Sequence, residues 1–348
     1  MSESKQTILD VNNLHVSFQT RNGEVQAVRG VNFSLKEGET LAIVGESGCG
    51  KSVTAQSIMR LIPTPPGVIK EGSIKLKGKD LTKYTEKQMR EIRGTDIGMI
   101  FQDPMTSLNP VLTIGDQISE GLFKNSKVSK ADAKKRTIEL LSLVGIANPE
   151  ERLRQYPHQF SGGMRQRIMI AMALVSEPGV LIADEPTTAL DVTIQAQIID
   201  LFKDIQKRIG IAIILITHDL GLVAQIADRI NVMYAGKIIE SGTVREIFYE
   251  PQHPYTKGLL KSVPRLDGDR NEPLIPIDGT PPDLFAPPKG CGFARRCDYA
   301  MDVCLQYDPE PTSVSEHHSV RCWLQDERAN KAVKAIDNRS PKINFQSK

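Results

Sequence analysis

No long apolar run occurs anywhere in the 348 residues. The longest, Ile168 to Val175, has eight, far short of the roughly 20 that cross a bilayer as a helix. The opening Met1-Ser2-Glu3-Ser4-Lys5-Gln6-Thr7 is polar and lacks the apolar core of a signal peptide. The expectation is a chain that is neither exported nor membrane-spanning, so that any membrane role comes through a partner. Charge of one sign is scarce too. Lys and Arg total 44 against 42 Asp and Glu, a net +2 without a basic stripe, which removes the electrostatic push toward nucleic acid. Cysteine is rare, at five residues. In a chain expected in the cytosol these thiols stay reduced, and disulfides explain them poorly. Otherwise the composition is that of an ordinary globular protein. The length suits one large domain plus an appendage.

Against this background one stretch stands out: Ile43-Val44-Gly45-Glu46-Ser47-Gly48-Cys49-Gly50-Lys51-Ser52. A G-x-x-x-x-G-K-S spacing follows the apolar run Thr40 to Val44, the length of a buried strand, and leads into residues that open a helix. That context is a P-loop. Gly45, Gly48 and Gly50 let the backbone bend so that successive N–H groups, from Gly45 to Val53, converge on phosphate oxygens. The helix that follows turns its positive end to the same anion. Lys51 adds a full charge for the β- and γ-phosphates, and the Ser52 hydroxyl is a ligand for Mg²⁺. A nucleoside triphosphate is the expected ligand.

The remaining pattern is strand–helix alternation. Short apolar stretches between residues 8 and 44, separated at Asn22-Gly23 and Glu37-Gly38, read as antiparallel strands. The P-loop helix is expected from Lys51 to Ile62, stopped by Pro63, Pro65 and Pro66. Residues 97–101, 180–185 and 211–216 read as buried strands of a parallel sheet covered by helices. Residues 114–144 have helical spacing and a highly charged surface, and read as a helical insertion. Ser161 is an N-cap for a helix that is apolar on every side from Ile168 to Val175. Beyond Pro251 prolines crowd the chain and four of the five cysteines appear. That texture suggests a small C-terminal domain with little regular structure.

The candidate chemistry sits at strand ends. Asp184 ends a buried strand as the Mg²⁺-associated aspartate of a P-loop ATPase does. Glu185 beside it is read as the general base for the attacking water. Gln102 and His218 closely follow apolar strands, and in an open parallel sheet such ends gather round the ligand. Gln102 would touch Mg²⁺ and water, and His218 the γ-phosphate. The bland alternatives are a loop glutamine and a surface histidine. Phe18, just before a turn, either stacks on a purine or belongs to the core. Ser161-Gly162-Gly163 at a helix start is a second anion site, suited to the nucleotide of another subunit.

The set resembles an ATP-binding subunit of an ABC transporter. The P-loop Gly45–Ser52, Gln102, the signature Ser161-Gly162-Gly163-Met164-Arg165-Gln166, Asp184-Glu185, the loop Ala189-Leu190-Asp191 and His218 follow the family's order and spacing over roughly residues 8–250. The signature departs from the commonest form at Phe160 and Met164. Phosphate binding, which rests on Ser161 and the glycines, is untouched by that. The resemblance makes Phe18 the adenine-stacking aromatic. It implies an α/β P-loop NTPase of ABC type with a parallel-sheet core, an antiparallel β subdomain, a helical subdomain and a small irregular C-terminal domain. The expected limits are 1–252 for the ATP-binding domain, with the helical subdomain at about 103–176, then 253–329 for the extension and 330–348 for a disordered tail.

Residues 101–110, 156–160 and 253–256 carry the resemblance further, to the oligopeptide/dipeptide/nickel importer branch and within it to the dipeptide or oligopeptide "D" type. This implies a peripheral subunit on the cytoplasmic face of the membrane, paired as a heterodimer with a homologous ATPase. Two transmembrane permease subunits and an extracellular solute-binding protein complete the machine. A P-loop and a signature on one rigid chain face different directions, so each nucleotide would be sandwiched between two subunits. ATP binding would close the dimer and hydrolysis reopen it. Gln102 lies at the root of the helical insertion, the natural lever to the permease. Nickel or another small solute is the alternative cargo. From a different class, a soluble ABC ATPase acting on nucleic acid and a non-hydrolysing regulatory module remain as competing readings.

Cys291, Cys297, Cys304 and Cys322 are spaced C-x5-C-x6-C and then seventeen residues to the last. Structural zinc sites usually show a C-x2–4-C knuckle, and none appears here. Four thiolates at wider spacing suit a larger centre, expected as [4Fe–4S] with zinc as the alternative. Importer ATPases with this extension imply the same choice. Reduced structural cysteines are the bland reading. Cys49 is excluded because it lies in the P-loop.

Overall fold

A computed structural model describes residues 6–125, 128–188, 190–262 and 276–329. The expected tail, 330–348, and Ala189 lie outside the described residues. The strands are β1 (Thr7–Thr20), β2 (Gly23–Lys36), β3 (Thr40–Val44), β4 (Gly67–Leu76), β5 (Lys79–Asp80), β6 (Ile97–Ile100), β7 (Val180–Asp184), β8 (Ala212–Ile216), β9 (Arg229–Tyr234), β10 (Lys237–Thr243), β11 (Thr312–Ser313) and β12 (Ser319–Val320). They make two sheets. The smaller is antiparallel, in the order β2-β1-β4-β5, and the larger runs β11-β12-β10-β9-β3-β8-β7-β6. Within the larger sheet β9, β3, β8, β7 and β6 are parallel.

Period-two alternation decides what each face of the parallel sheet packs against. Leu181 and Ala183 of β7, with Ile213 and Leu215 of β8, join a core made with the helices Ile114–Asn125, Lys130–Leu143, Gly162–Leu174 and Val192–Ile209. Val180 and Ile182, with Ala212, Ile214 and Ile216, face the other way, onto β1, β2, β4 and the helix Lys51–Ile58. Both faces are covered, so these strands are apolar throughout.

Several boundaries differ from the sequence reading. The P-loop helix ends at Ile58 instead of Ile62, and Arg60 turns to φ +48° before the prolines are reached. The helical insertion is two helices, Ile114–Asn125 and Lys130–Leu143, the second capped by the Ser129 side chain. The C-terminal segment is indeed poor in regular structure, but it does not stand apart. β12 pairs with β10 and extends the main sheet, with Glu240 opposite Val320. A third core holds it there. Tyr234, Tyr255 and Phe293 meet with ring centroids 4.5 and 5.4 Å apart, among Val44, Ile230 and Val232. Buried aromatic contacts of this kind each add about 0.5–1.5 kcal/mol beyond their area.

Candidate functional site

Parallel pairing sets the site. Ile43 of β3 and Asp184 of β7 both lie level with Ile216 of β8 between them, and Ile100 of β6 pairs with Ala183. The chain positions just past these residues therefore emerge together at one end of the sheet. They carry the P-loop, Gln102, Glu185 and His218.

The loop has the backbone its glycines were expected to supply. Gly45, Gly48 and Gly50 sit at φ +151°, +77° and +104°. A Cβ on Gly45 would lie 2.2 Å from the Met233 carbonyl oxygen, and one on Gly50 would lie 2.4 Å from that of Ala27. Neither position admits a side chain. Lys51 is buried at 5% exposure, and its ammonium donates to the carbonyls of Gly45 at 2.8 Å and Glu46 at 3.0 Å. A cation is thus held inside the curl of the loop at the N-terminus of its helix, which fits a phosphate chain. The Ser52 hydroxyl donates to Asp184 Oδ1 at 2.9 Å. These are adjacent hard oxygen donors, the ligand type Mg²⁺ takes. Burial raises the Asp184 carboxyl above its ordinary value, against the pull of the Ser52 hydrogen bond and the Lys51 charge. Burial likewise raises the Cys49 thiol.

Glu185 leaves the strand in the left-handed region, at φ +48°. That turn separates its carboxylate from Asp184 and carries it to Gln102, Thr188 and His218. Gln102 Nε2 and Thr188 Oγ1 each donate to Oε2 at 3.0 Å, and His218 Nδ1 lies 3.6 Å from Oε1. His218 is 62% exposed and Glu185 is 15% exposed, so the carboxylate is sheltered while its histidine neighbour faces outward.

Ser161 caps the helix Gly162–Leu174, accepting from the Met164 N–H at 3.4 Å. With Gly162, Gly163, Arg167 and Asp191 it lines its own open depression of about 530 Å³. None of the P-loop residues lines it, in keeping with a site turned toward another molecule. Phe18 lies near the end of β1, opposite Val25 and Gly67. It packs on the edge of the core and stays partly accessible, so both roles considered for it keep a structural basis.

The four C-terminal cysteines are free thiols gathered in one neighbourhood. The Cys291 N–H donates to the Cys304 carbonyl at 2.8 Å. Cys322 feels the charge of Cys291, Cys297 and Cys304, Cys297 that of Cys291 and Cys304, and Cys291 that of Cys304. Burial foremost pushes Cys291 up to about 11 and Cys297 and Cys322 up to about 12. Among the described residues no group of three or more His, Cys, Asp or Glu side chains is drawn together tightly enough to hold a single metal ion.

Sequence reasoning missed three residues. Thr188 is one; a hydroxyl three positions after the acid was the available signal. Tyr255, whose hydroxyl accepts from the Glu46 N–H at 2.9 Å, lay in the stretch 253–256 read only for its resemblance, and Arg296, which pairs with the Glu46 carboxylate, gave no signal at all.

Comparison with known proteins agrees with this geometry. An ABC transporter family model matches residues 28–188. A second, described as the oligopeptide/dipeptide transporter C-terminal region, matches 239–304. The dipeptide transport ATP-binding protein DppD of Bacillus subtilis is 64% identical over 95% of this chain and 98% of its own length. The oligopeptide transport ATP-binding protein OppD of the same organism is 62% identical over 91% of this chain and 88% of its own. A solved dimeric bacterial ABC transporter cassette is 27% identical and superposes with a TM-score of 0.61, covering 68% of this chain and 99% of that one. For cbiO1 of Clostridium perfringens the identity is 33% and the TM-score 0.60, over 71% of this chain and 92% of that one. The chain belongs to the ATP-hydrolysing ATP-binding proteins of the ABC transporter family, in the branch that carries the oligopeptide/dipeptide transporter C-terminal region.

Proposed function

We propose that this chain hydrolyses ATP to drive di- and oligopeptides into the cell through a membrane-embedded transporter. The observation that carries the reading is the convergence, at one sheet end, of the P-loop, the Ser52–Asp184 pair and the Gln102–Glu185–Thr188 cluster, in a chain whose C-terminal region matches that of peptide transporters. The relatives named for dipeptide and oligopeptide transport supply the cargo.

In this reading Gly45–Val53 bind the phosphates, with Lys51 on the β- and γ-oxygens and Phe18 against adenine. Ser52, Asp184 and Gln102 would hold Mg²⁺, which supplies charge neutralisation for the phosphates. Glu185 takes a proton from the attacking water while Gln102 and Thr188 fix its carboxylate and His218 reaches the γ-phosphate. Ser161, Gly162 and Gly163 serve the nucleotide held by a partner's P-loop. The partner is a homologous ATPase, giving a heterodimer beneath two permease subunits and an extracellular solute-binding protein, with this chain at the cytoplasmic face. The functional units keep the limits 1–252, with 103–176 as the helical lever, and 253–329.

The cysteine set is best matched to a [4Fe–4S] cluster. The ground is the wide C-x5-C-x6-C spacing without a C-x2–4-C knuckle, in one segment where Cys291, Cys297 and Cys322 are pushed up by burial; zinc is the alternative. Iron, sulfide and zinc analysis after anaerobic purification tests this. A protein lacking all three, unchanged in fold when the four cysteines become serine, rules it out. The transport reading is tested by uptake in cells lacking the chain. Labelled dipeptide uptake should be lost and restored with the gene, while nickel uptake is unaffected. Loss of nickel uptake alone would overturn the peptide assignment.

A further inference from the structure

We propose that Arg296 is a positioning residue for the phosphate-binding loop: it fixes Glu46 and cancels a charge that would otherwise oppose the incoming phosphates. Glu46 is the second residue of a loop built to hold a polyanion, and a free carboxylate there works against that task. In the folded chain it is not free. Arg296 Nη1 donates to Oε2 at 2.7 Å and Nη2 to Oε1 at 3.0 Å, a fork-to-fork pair of the strongest and most directional kind. Arg296 is itself locked in place. Its Nε donates to the Asp278 carbonyl at 2.8 Å, Nη2 to that of Ile277 at 3.0 Å and Nη1 to the Tyr234 hydroxyl at 3.1 Å. The guanidinium also lies 5.8 and 5.9 Å from the ring centres of Tyr234 and Phe293. At 6% exposure its side chain is sealed from water, whereas Glu46 is 24% exposed.

The backbone of Glu46 is gripped as well, by the Tyr255 hydroxyl at 2.9 Å. Both grips come from residues far along the chain: Tyr255 packs with Tyr234 and Phe293, and Arg296 lies against the rings of the latter two. The same C-terminal stretch ties down the β2 side. The Gln26 N–H donates to the Leu284 carbonyl at 2.9 Å, and Arg29 donates to that of Pro288 at 3.3 Å. The C-terminal segment thus braces the phosphate loop and the strand beside it from behind, with Arg296 as the charged contact.

The inference rests on Gly45–Ser52 being the triphosphate cradle, so Lys51→Ala serves as the control. The experiment is ATP hydrolysis against ATP concentration, by the full-length protein in the assembly in which it is isolated. Arg296→Ala should raise KM for ATP roughly tenfold while kcat falls by less than about threefold. Arg296→Lys, which keeps the charge but not the fork, should raise KM less. The double variant Glu46→Gln with Arg296→Ala should recover most of the KM, because an amide no longer repels phosphate. A merely structural role would lower kcat and melting temperature in Arg296→Ala and in the double variant alike, with no recovery of KM, and that result would overturn the proposal. An unchanged KM in Arg296→Ala, with Lys51→Ala impaired, overturns it too. A Lys51→Ala protein that saturates with ATP as the parent does would overturn the cradle reading itself. Should Arg296→Ala not fold, Arg296→Lys carries the test: a raised KM supports the proposal and an unchanged KM, with Lys51→Ala impaired, overturns it.

Discussion

The Ser52 hydroxyl donates to the Asp184 carboxylate at 2.9 Å, across 132 positions of sequence. This contact joins the start of the P-loop helix to the end of β7 and puts side by side the two oxygens proposed to hold Mg²⁺. Asp184→Asn keeps the shape and the hydrogen bond but loses the charge. The Mg²⁺ concentration for half-maximal hydrolysis should rise about 10- to 100-fold, the range typical when a metal site is perturbed. A Mg²⁺ titration of the ATPase rate checks it, and chelation should abolish activity in parent and variant alike.

Gly45→Ala places a Cβ 2.2 Å from the Met233 carbonyl oxygen, at φ +151°. Gly48→Ala meets nothing within 4 Å and carries only the strain of φ +77°. Gly45→Ala should therefore lose ATP binding and destabilise the fold by about 2–4 kcal/mol, whereas Gly48→Ala should cost roughly 1 kcal/mol. Denaturant unfolding and ATP titration of the two variants side by side test the difference.

The parts of the site that obey local rules were legible from residues alone. A buried strand before Gly45, and another ending on Asp184-Glu185, announce their chemistry through burial and spacing. The gathering of Gln102 and His218 follows from parallel strand ends. The Arg296–Glu46 pair does not, because 250 positions separate the partners and nothing local marks an arginine as destined for a particular acid. β11 and β12 were unreadable for another reason: two residues each are too few for alternation to show, and they are strands only because β10 offers an edge. Ending the P-loop helix at Ile62 erred because proline was taken as the stop, whereas Arg60 had already left helical geometry.

His253 is 1% exposed; its Nδ1 accepts the Tyr255 N–H at 3.0 Å, capping the helix Pro254–Lys261. Burial holds its pKa down at about 3. The folded state therefore keeps it neutral while the unfolded chain takes up a proton below about pH 6.5. Stability from this group is intact above pH 6.5 and declines as pH falls toward 3, by about 1.4 kcal/mol per unit. His253→Asn keeps a capping acceptor and should flatten the pH dependence of unfolding between pH 4 and 6.5.

Ser161 faces a depression that the P-loop does not share. Ser161→Arg should therefore leave this chain's own ATP affinity within about twofold while cutting hydrolysis at the partner's P-loop by at least about tenfold. Mixed assemblies, with one subunit altered at a time, separate the two effects.

Glu185 holds the central place, with its carboxylate fixed by Gln102 and Thr188 and beside His218. The most direct measurement compares ATP binding and single-turnover hydrolysis in the parent and in Glu185→Gln, within the assembled transporter. The expected result is unchanged ATP affinity and hydrolysis slowed about 10²- to 10⁴-fold, the contribution of a positioned general base, with peptide uptake lost in proportion. Hydrolysis at the parental rate in Glu185→Gln would contradict it.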